Sequence, residues 1–83
     1  MRILDFYATW CQPCKAIEPV LQNLSTELNL PLRKINVENE RPLFNKYNVK
    51  TVPTIILQDE KGNEIGRHTG MITESKLRAF LVG

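Results

Sequence analysis

The sequence has few of the features that mark several large classes of protein. Its 83 residues include only two cysteines, one histidine and one tryptophan. Eleven Lys and Arg residues stand against nine Asp and Glu, a formal net charge of +2 with no run of like charges, so we expect neither nucleic acid nor a membrane surface as a partner. No apolar stretch approaches the roughly 20 residues of a membrane span. The length predicts a single minimal domain over residues 1–83, which we expect to be monomeric.

A secretory signal is not evident at the start of the sequence. Asp5 interrupts the first apolar segment, and no small-residue cleavage site follows it, which predicts a cytoplasmic location. Stable structural disulfides are rare in a reducing cytosol. The two cysteines are therefore expected to have a role other than cross-linking the fold.

The hydrophobic pattern predicts the element order βαβαββα. Residues 2–8 form a short, mostly apolar segment that is typical of a buried strand. The apolar period becomes helical from Cys14 onward, and the helix is predicted to end at 29–31. The later predicted elements are a strand over 32–37, a short helix with Pro42 in its first turn, strands over 51–58 and 64–69, and a last helix capped by Thr73.

The connections between these elements predict how the strands pair. Helices separate the first three strands, which predicts parallel crossovers. The polar turn over 59–63, where Gly62 is available for positive φ, predicts an antiparallel hairpin. The predicted fold class is therefore α/β, with a four-stranded mixed sheet flanked by three helices. The helical residues predicted to face the core are Ile17, Val20, Leu21, Leu24, Leu28, Leu77, Phe80 and Leu81.

The segment Trp10-Cys11-Gln12-Pro13-Cys14 lies between the first predicted strand and the first predicted helix. Two cysteines at this spacing can close a disulfide or remain a dithiol with little movement. Unpaired amides and the macrodipole at a helix start stabilise an anion, so Cys11 is expected to be an accessible thiolate. Zinc binding is disfavoured, because four ligands are normally needed and the chain offers only His68 as another borderline ligand.

The segment LDFYATWCQPCK, which begins at Leu4, resembles the active-site segment of thioredoxins. The resemblance covers essentially the whole chain in the same order. It continues through Pro19, Lys34, Val52-Pro53-Thr54 and Gly70. It implies a thioredoxin-like fold and a thiol–disulfide oxidoreductase that reduces protein disulfides.

Two features depart from the thioredoxin pattern. The chain begins directly at the active-site strand, as in glutaredoxins, and Gln12 stands where thioredoxins usually have glycine. The two residues between the cysteines tune the redox potential in the family, so Gln12 is expected to affect it. The Thr51-Val52-Pro53 segment is also similar to glutaredoxins, whereas Trp10, Asp5 and Pro13-Cys14 favour thioredoxins.

The resemblance implies a role for each residue near the cysteines. Cys11 is the expected nucleophile and Cys14 the less exposed resolving thiol. Asp5 is the expected proton acceptor for Cys14, provided that it is buried rather than reaching solvent at a strand end. Lys34 is expected either to pair with Asp5 or to be solvated, and Lys15 is expected at the surface.

A second set of residues is implied to contact the substrate. These residues are Trp10, Gln12, Pro13, Val52, Pro53 and Gly70, with Tyr7 in support and Thr69 and Met71 beside Gly70. Pro53 is expected to follow a cis peptide bond and to pack opposite the cysteines, although a strand-entry proline fits the same fold. Gly70 is alternatively an ordinary turn glycine, and His68 is expected to be solvated.

The expected reaction needs no bound cofactor, because the cysteine pair itself carries two electrons. The expected partners are proteins that contain disulfides and an electron donor, either a thioredoxin-reductase-like flavoprotein or glutathione. Two alternatives stay open at this point. One is a glutaredoxin-like enzyme that depends on glutathione, and the other is a non-enzymatic carrier of a metal or an iron–sulfur cluster.

Overall fold

The computed structural model describes residues 1–83 and has the predicted element order. The strands are β1 (Arg2–Tyr7), β2 (Leu32–Asn36), β3 (Thr54–Gln58) and β4 (Glu64–Thr69); the helices are α1 (Gln12–Leu28), α2 (Arg41–Lys46) and α3 (Glu74–Val82). The strands form one sheet in the order β2-β1-β3-β4, which places β1 inside the sheet. None of the helices combines the length and the apolar content needed to cross a membrane.

The direction of β3 differs from the prediction. β1 and β2 are parallel, as predicted, with Phe6 beside Ile35. β3 is antiparallel to β1, with Phe6 beside Thr54, so the predicted parallel crossover between β2 and β3 is wrong. The six residues of α2 extend only about 9 Å, which is too short to return the chain along the length of the sheet. The chain therefore leaves β2 and enters β3 at the same end of the sheet, and the mixed sheet is completed by the predicted antiparallel β3–β4 hairpin.

The ends of the helices follow from local chemistry. α1 starts two residues before the predicted position, because Cys11 is its N-cap and the Cys11 Sγ accepts a hydrogen bond from the Cys14 amide at 3.2 Å. It ends at Asn29, which has a φ of 56° in the left-handed region, where asparagine is better tolerated than most residues. α3 is capped as predicted by Thr73, which accepts a hydrogen bond from an amide of its first turn.

Alternation along β1 divides the core between the two faces of the sheet. Ile3 packs with residues of α1 and α3, whereas Leu4 and Phe6 pack with Phe44 of α2 and its neighbours. Among the predicted core residues of the helices, Ile17, Leu21, Leu24, Leu77 and Leu81 are buried, and Val20, Leu28 and Phe80 are half-buried against them. Since side chains two apart in a strand share a face, Asp5 lies on the Ile3 face, on the side of α1.

Candidate active site

A disulfide joins Cys11 and Cys14 at the start of α1, with the two Cα atoms 5.2 Å apart. The helix brings the two residues close, because positions three apart lie on one face of its first turn. Pro13 belongs to that turn, where its missing amide hydrogen costs no helical hydrogen bond. The Cys11 sulfur thus lies where helix amides and the macrodipole favour negative charge. The pair can store two electrons as a dithiol and release them as a disulfide.

The exposure of Cys11 differs from the expectation. In this oxidised form Cys11 is 4% exposed and Cys14 3%, so neither is openly accessible and exposure does not distinguish them. Both belong to a small buried cluster with Ala8, against which Tyr7, Val37 and Val52 pack. The two cysteines differ instead in position, since Cys11 is the helix cap and Cys14 lies inside the first turn.

The segment of Val52, which packs against the cysteines, carries some of the residues expected to bind substrate. The Val52–Pro53 peptide bond is cis, and Pro53 is buried. The Gly70 amide donates a hydrogen bond to the Pro53 carbonyl at 2.9 Å, so the loop after β4 is attached to the cis-proline segment. Gly70 has a φ of +92°, which only glycine adopts without strain. Trp10 is 69% exposed beside the cysteines and Met71 is 75% exposed.

A cavity of about 240 Å³ adjoins the disulfide on the side of α2. Its lining includes Trp10, Val37 and Val52, two of which also pack against the cysteines. Arg41 and Lys50 line the same cavity, and neither takes part in any ion pair of the structure. The cavity also has the Glu38 carboxylate in its lining, which accepts a hydrogen bond from Thr9. It therefore presents an aromatic ring, two unpaired positive charges and one carboxylate next to the redox-active pair.

Asp5 is buried in β1, with 2% of its surface exposed. Its Oδ1 atom has no hydrogen-bond partner. The pKa of Asp5 is raised to about 6, mainly because burial disfavours the charged form. The positive charge of Lys34 acts in the opposite direction and lowers this pKa, whereas the negative charge of Glu18 raises it. A carboxylate of this kind is more basic than an exposed one and can accept a proton near neutral pH.

Lys34 is not the ion-pair partner of Asp5. The two residues are neighbours in the parallel register of β1 and β2, but the Lys34 ammonium binds Glu18 Oε1 at 2.7 Å. The same ammonium lies 4.9 Å from the centre of the Tyr7 ring. The Glu18 side chain is partly exposed. Pairing with Glu18 therefore leaves both the ammonium and the carboxylate partly hydrated, which avoids the cost of burying the two charges fully.

The remaining predicted positions take ordinary places. Gln12 and Lys15 are exposed, and Pro13 is half-buried in the first turn of α1. The His68 ring is half-buried and its Nε2 lies 3.1 Å from the Met71 carbonyl oxygen. This contact links β4 to the loop beside the active site, so His68 is not simply a solvated strand residue.

Sequence reasoning missed several residues around the site. Glu18, Val37, Arg41 and Lys50 were not singled out. Glu18 follows Cys14 by four positions in α1, so helical spacing could have placed both on one face. Val37 directly follows β2, and its amide donates a hydrogen bond to the Tyr7 carbonyl oxygen at the end of β1. Arg41 and Lys50 lie in the connection from β2 to β3, whose path depends on the direction of β3.

Among the alternatives, metal carriage gains no support from the side-chain positions. No group of three or more His, Cys, Asp or Glu side chains is arranged to hold a metal ion. The cysteine pair is instead closed as a disulfide.

Comparison with known proteins gives a consistent result. A family profile described as Thioredoxin matches residues 1–82. A thioredoxin of Chlamydia pneumoniae is 42% identical over 70 residues, which cover 83% of this chain and 68% of that protein. Thioredoxin-1 of Caenorhabditis elegans is 43% identical over 77 residues, 92% of this chain and 65% of that protein.

The fold comparison agrees with the sequence comparison. A mutant thioredoxin from Halobacterium salinarum superimposes with a TM-score of 0.89 at 33% identity, over 95% of this chain and 69% of that one. Relatives and solved structures thus agree on the family and on the fold, and they favour the thioredoxin interpretation over the glutaredoxin one. The chain is a thiol–disulfide oxidoreductase and belongs to the thioredoxin family.

Proposed function

We propose that the protein reduces disulfides of other proteins in two steps. The Cys11 thiolate attacks one sulfur of the substrate disulfide, forms a mixed disulfide and releases the other sulfur as a thiolate. Cys14 loses its proton and attacks the Cys11 sulfur, which releases the second substrate sulfur and closes the Cys11–Cys14 disulfide. The substrate gains two electrons and the enzyme loses two. The observation that carries this proposal is the disulfide at the first turn of α1.

The position of Cys11 supports its role as the nucleophile. Its sulfur accepts a hydrogen bond from the Cys14 amide, and a thiolate at the same place would keep that acceptor role. Hydrogen bonds to an anion and the helix macrodipole both stabilise the reactive form. Cys14 is one turn farther into the helix, so its attack on the mixed disulfide is intramolecular and fast.

Asp5 supports the second step as the proton acceptor for Cys14. Its pKa of about 6 leaves the carboxylate mostly ionised at pH 7 while making it more basic than an ordinary aspartate. A single water molecule is the route that we propose between the Cys14 thiol and the carboxylate. The partnerless Oδ1 atom is the atom free to accept that hydrogen bond.

Substrate recognition is proposed to use the surface around Trp10 and Val52. An extended segment of the substrate would pair with the Val52 backbone, which gives affinity with little sequence selectivity. The exposed side chains of Trp10 and Met71 would cover apolar groups beside the substrate disulfide. Gln12, Pro13, Pro53 and Gly70 complete this proposed surface.

The proposed partners follow from the reaction. Disulfide-containing proteins are the substrates, and a thioredoxin-reductase-like flavoprotein returns the electrons, with glutathione as the alternative donor. A reducing compartment, the cytoplasm, is the proposed location, because reduction of protein disulfides needs a pool of reducing equivalents.

The experiment that tests this function separates the two cysteines. Cys14→Ser is expected to accumulate a mixed disulfide with a protein substrate through Cys11, because the resolving thiol is lost. The matched variant Cys11→Ser is expected to form none. Insulin reduction with dithiothreitol measures turnover of the unmodified protein. A mixed disulfide that forms on Cys14 instead, or turnover that survives in Cys11→Ser, would contradict the assignment.

A further inference from the structure

We infer that Glu18 is a positioning residue for the proton transfer at Asp5, because its carboxylate holds the Lys34 ammonium and keeps it from forming an ion pair with Asp5. The inference rests on the proposed function of Asp5. It concerns a residue on α1 that lies outside the segment between the cysteines. Glu18 binds the Lys34 ammonium, and Lys34 is the neighbour of Asp5 in the adjacent strand.

The register of the sheet places Lys34 beside Asp5. They are Cα partners in the parallel β1–β2 pair, and side chains at paired positions of adjacent strands lie on the same face. Lysine has a flexible four-carbon stem and could turn its ammonium toward either neighbour. Asp5 is almost fully buried and its Oδ1 atom lacks any hydrogen-bond partner, so a direct ion pair would supply the partner that this atom lacks.

The observed ammonium is bound elsewhere. Lys34 Nζ lies 2.7 Å from Glu18 Oε1, and both side chains are partly exposed, at 31% and 40%. Lys34 thus keeps part of its hydration while it is paired, whereas a bond to Asp5 would draw the ammonium into the core at a desolvation cost. Glu18 makes this arrangement possible, because no other acidic side chain is paired with Lys34.

Few other charges face Asp5. β3, its second neighbour in the sheet, contributes the apolar Ile55 at the paired position. α1 contributes Glu18, and β2 contributes Lys34. Burial is the largest influence on the pKa of Asp5, Lys34 lowers it, and Glu18 raises it. Glu18 therefore preserves the basicity of Asp5 in two ways, through its own charge and through the position of Lys34.

Removing the charge of Glu18 is predicted to make the Asp5 carboxylate a weaker base. In Glu18→Gln the Lys34 ammonium has no carboxylate partner and becomes free to approach Asp5. The Asp5 pKa should then fall, and the acid limb of the rate of mixed-disulfide resolution should move to lower pH. The rate at pH 7 should fall by about threefold, a small part of the roughly 10² to 10⁴ that a positioned base commonly supplies.

The direct measurement is an NMR titration of the Asp5 carboxyl carbon in the oxidised protein. The unmodified chain should titrate near the pKa of about 6 that burial gives Asp5, and Glu18→Gln should titrate at lower pH. Glu27→Gln is the matched control, because Glu27 is also on α1 and also ion-paired, with Arg78, yet is absent from the influences on Asp5. Its Asp5 midpoint should be unchanged.

A second variant tests whether Glu18 acts through Lys34. Lys34 lowers the pKa of Asp5 already in the unmodified protein, so the informative comparison is the effect of Glu18→Gln with and without the ammonium. In a Lys34→Met background, Glu18→Gln should lower the Asp5 midpoint by clearly less than it does in the unmodified background. An Asp5 midpoint that is unchanged or higher in Glu18→Gln alone overturns the inference, and so does an equal decrease in the two backgrounds. The proposed base role fails separately, if Asp5→Asn resolves the mixed disulfide as fast as the unmodified protein.

Discussion

Replacing Asp5 by asparagine should stabilise the folded protein at neutral pH. Asp5 is 2% exposed and has an unpartnered Oδ1 atom, and burial raises its pKa from 3.8 to about 6. Because a pKa shift of one unit corresponds to about 1.4 kcal/mol, ionising Asp5 costs about 3 kcal/mol more in the folded protein than in the unfolded chain. An asparagine side chain carries no charge, so this cost would disappear. The gain is smaller than about 3 kcal/mol to the extent that the buried amide also lacks hydrogen bonds.

The sign of the pH dependence follows from proton binding. Between about pH 4 and pH 6 the folded protein holds a proton on Asp5 that the unfolded chain has already released, because the folded-state pKa is the higher one. The free energy of unfolding therefore falls as pH rises through this window and levels off above the folded-state pKa. About 2.5 kcal/mol of the loss from this group should develop between pH 4 and pH 7. Asp5→Asn should lack this component.

The assay is urea unfolding of the oxidised protein and of Asp5→Asn at pH 4 and pH 7. The quantity compared is the difference in the free energy of unfolding between the two proteins, at pH 4 and at pH 7. Asp59→Asn is a contrasting control: backbone hydrogen bonds lower the pKa of Asp59 below its usual value of 3.8, so its stabilising contribution is lost only below about pH 4. That variant should therefore lose nearly the same stability at pH 4 and at pH 7. Parallel pH profiles for Asp5→Asn and the unmodified protein would refute the desolvation argument.

Three other predictions test packing, capping and substrate charge. Leu21 is fully buried between the sheet and the helices, so Leu21→Ala should lower the free energy of unfolding by about 2–5 kcal/mol; a loss below about 1 kcal/mol would indicate a loosely packed core. Thr73→Ala should cost about 1 kcal/mol in the same assay, since it removes the cap of α3; an unchanged midpoint would contradict the cap. Arg41→Gln combined with Lys50→Gln should lower kcat/KM about fivefold for a disulfide peptide with acidic flanks and leave kcat/KM for a neutral peptide unchanged. The control variant Lys61→Gln, which lies outside this cavity, should leave kcat/KM for both peptides unchanged. Equal losses on both peptides would exclude a charge effect.

Most of the elements could be predicted from local patterns. The helical period after Cys14, the polar turn with Gly62 and the hydroxyl of Thr73 each depend on residues close together in sequence, and each occurs where predicted. Gly62 has a φ of +86° in that turn. The observed start of α1 precedes the predicted one because the Cys11 sulfur caps the helix. A cysteine sulfur is not among the usual capping acceptors.

The direction of β3 and the partner of Lys34 could not be predicted in the same way. The sequence predicts a short helix between β2 and β3, but it does not show that this helix has only six residues, which is too short for a parallel crossover. Lys34 had two carboxylates within its reach, and Glu18 is the one it binds. The exposure of Cys11 likewise depends on Val37 and Val52, which approach from other elements.

The amino-acid sequence by itself determined the chemistry of the site, because a cysteine pair three positions apart at a helix start can exchange two electrons whatever surrounds it. It also determined which segments are strands and helices, since those choices depend on neighbours along the chain. The tertiary structure decided how basic Asp5 is, which charge faces it and how far the sulfurs are covered. Those properties depend on solvent access and on distances between residues far apart in sequence, and both exist only once the sheet and helices have packed.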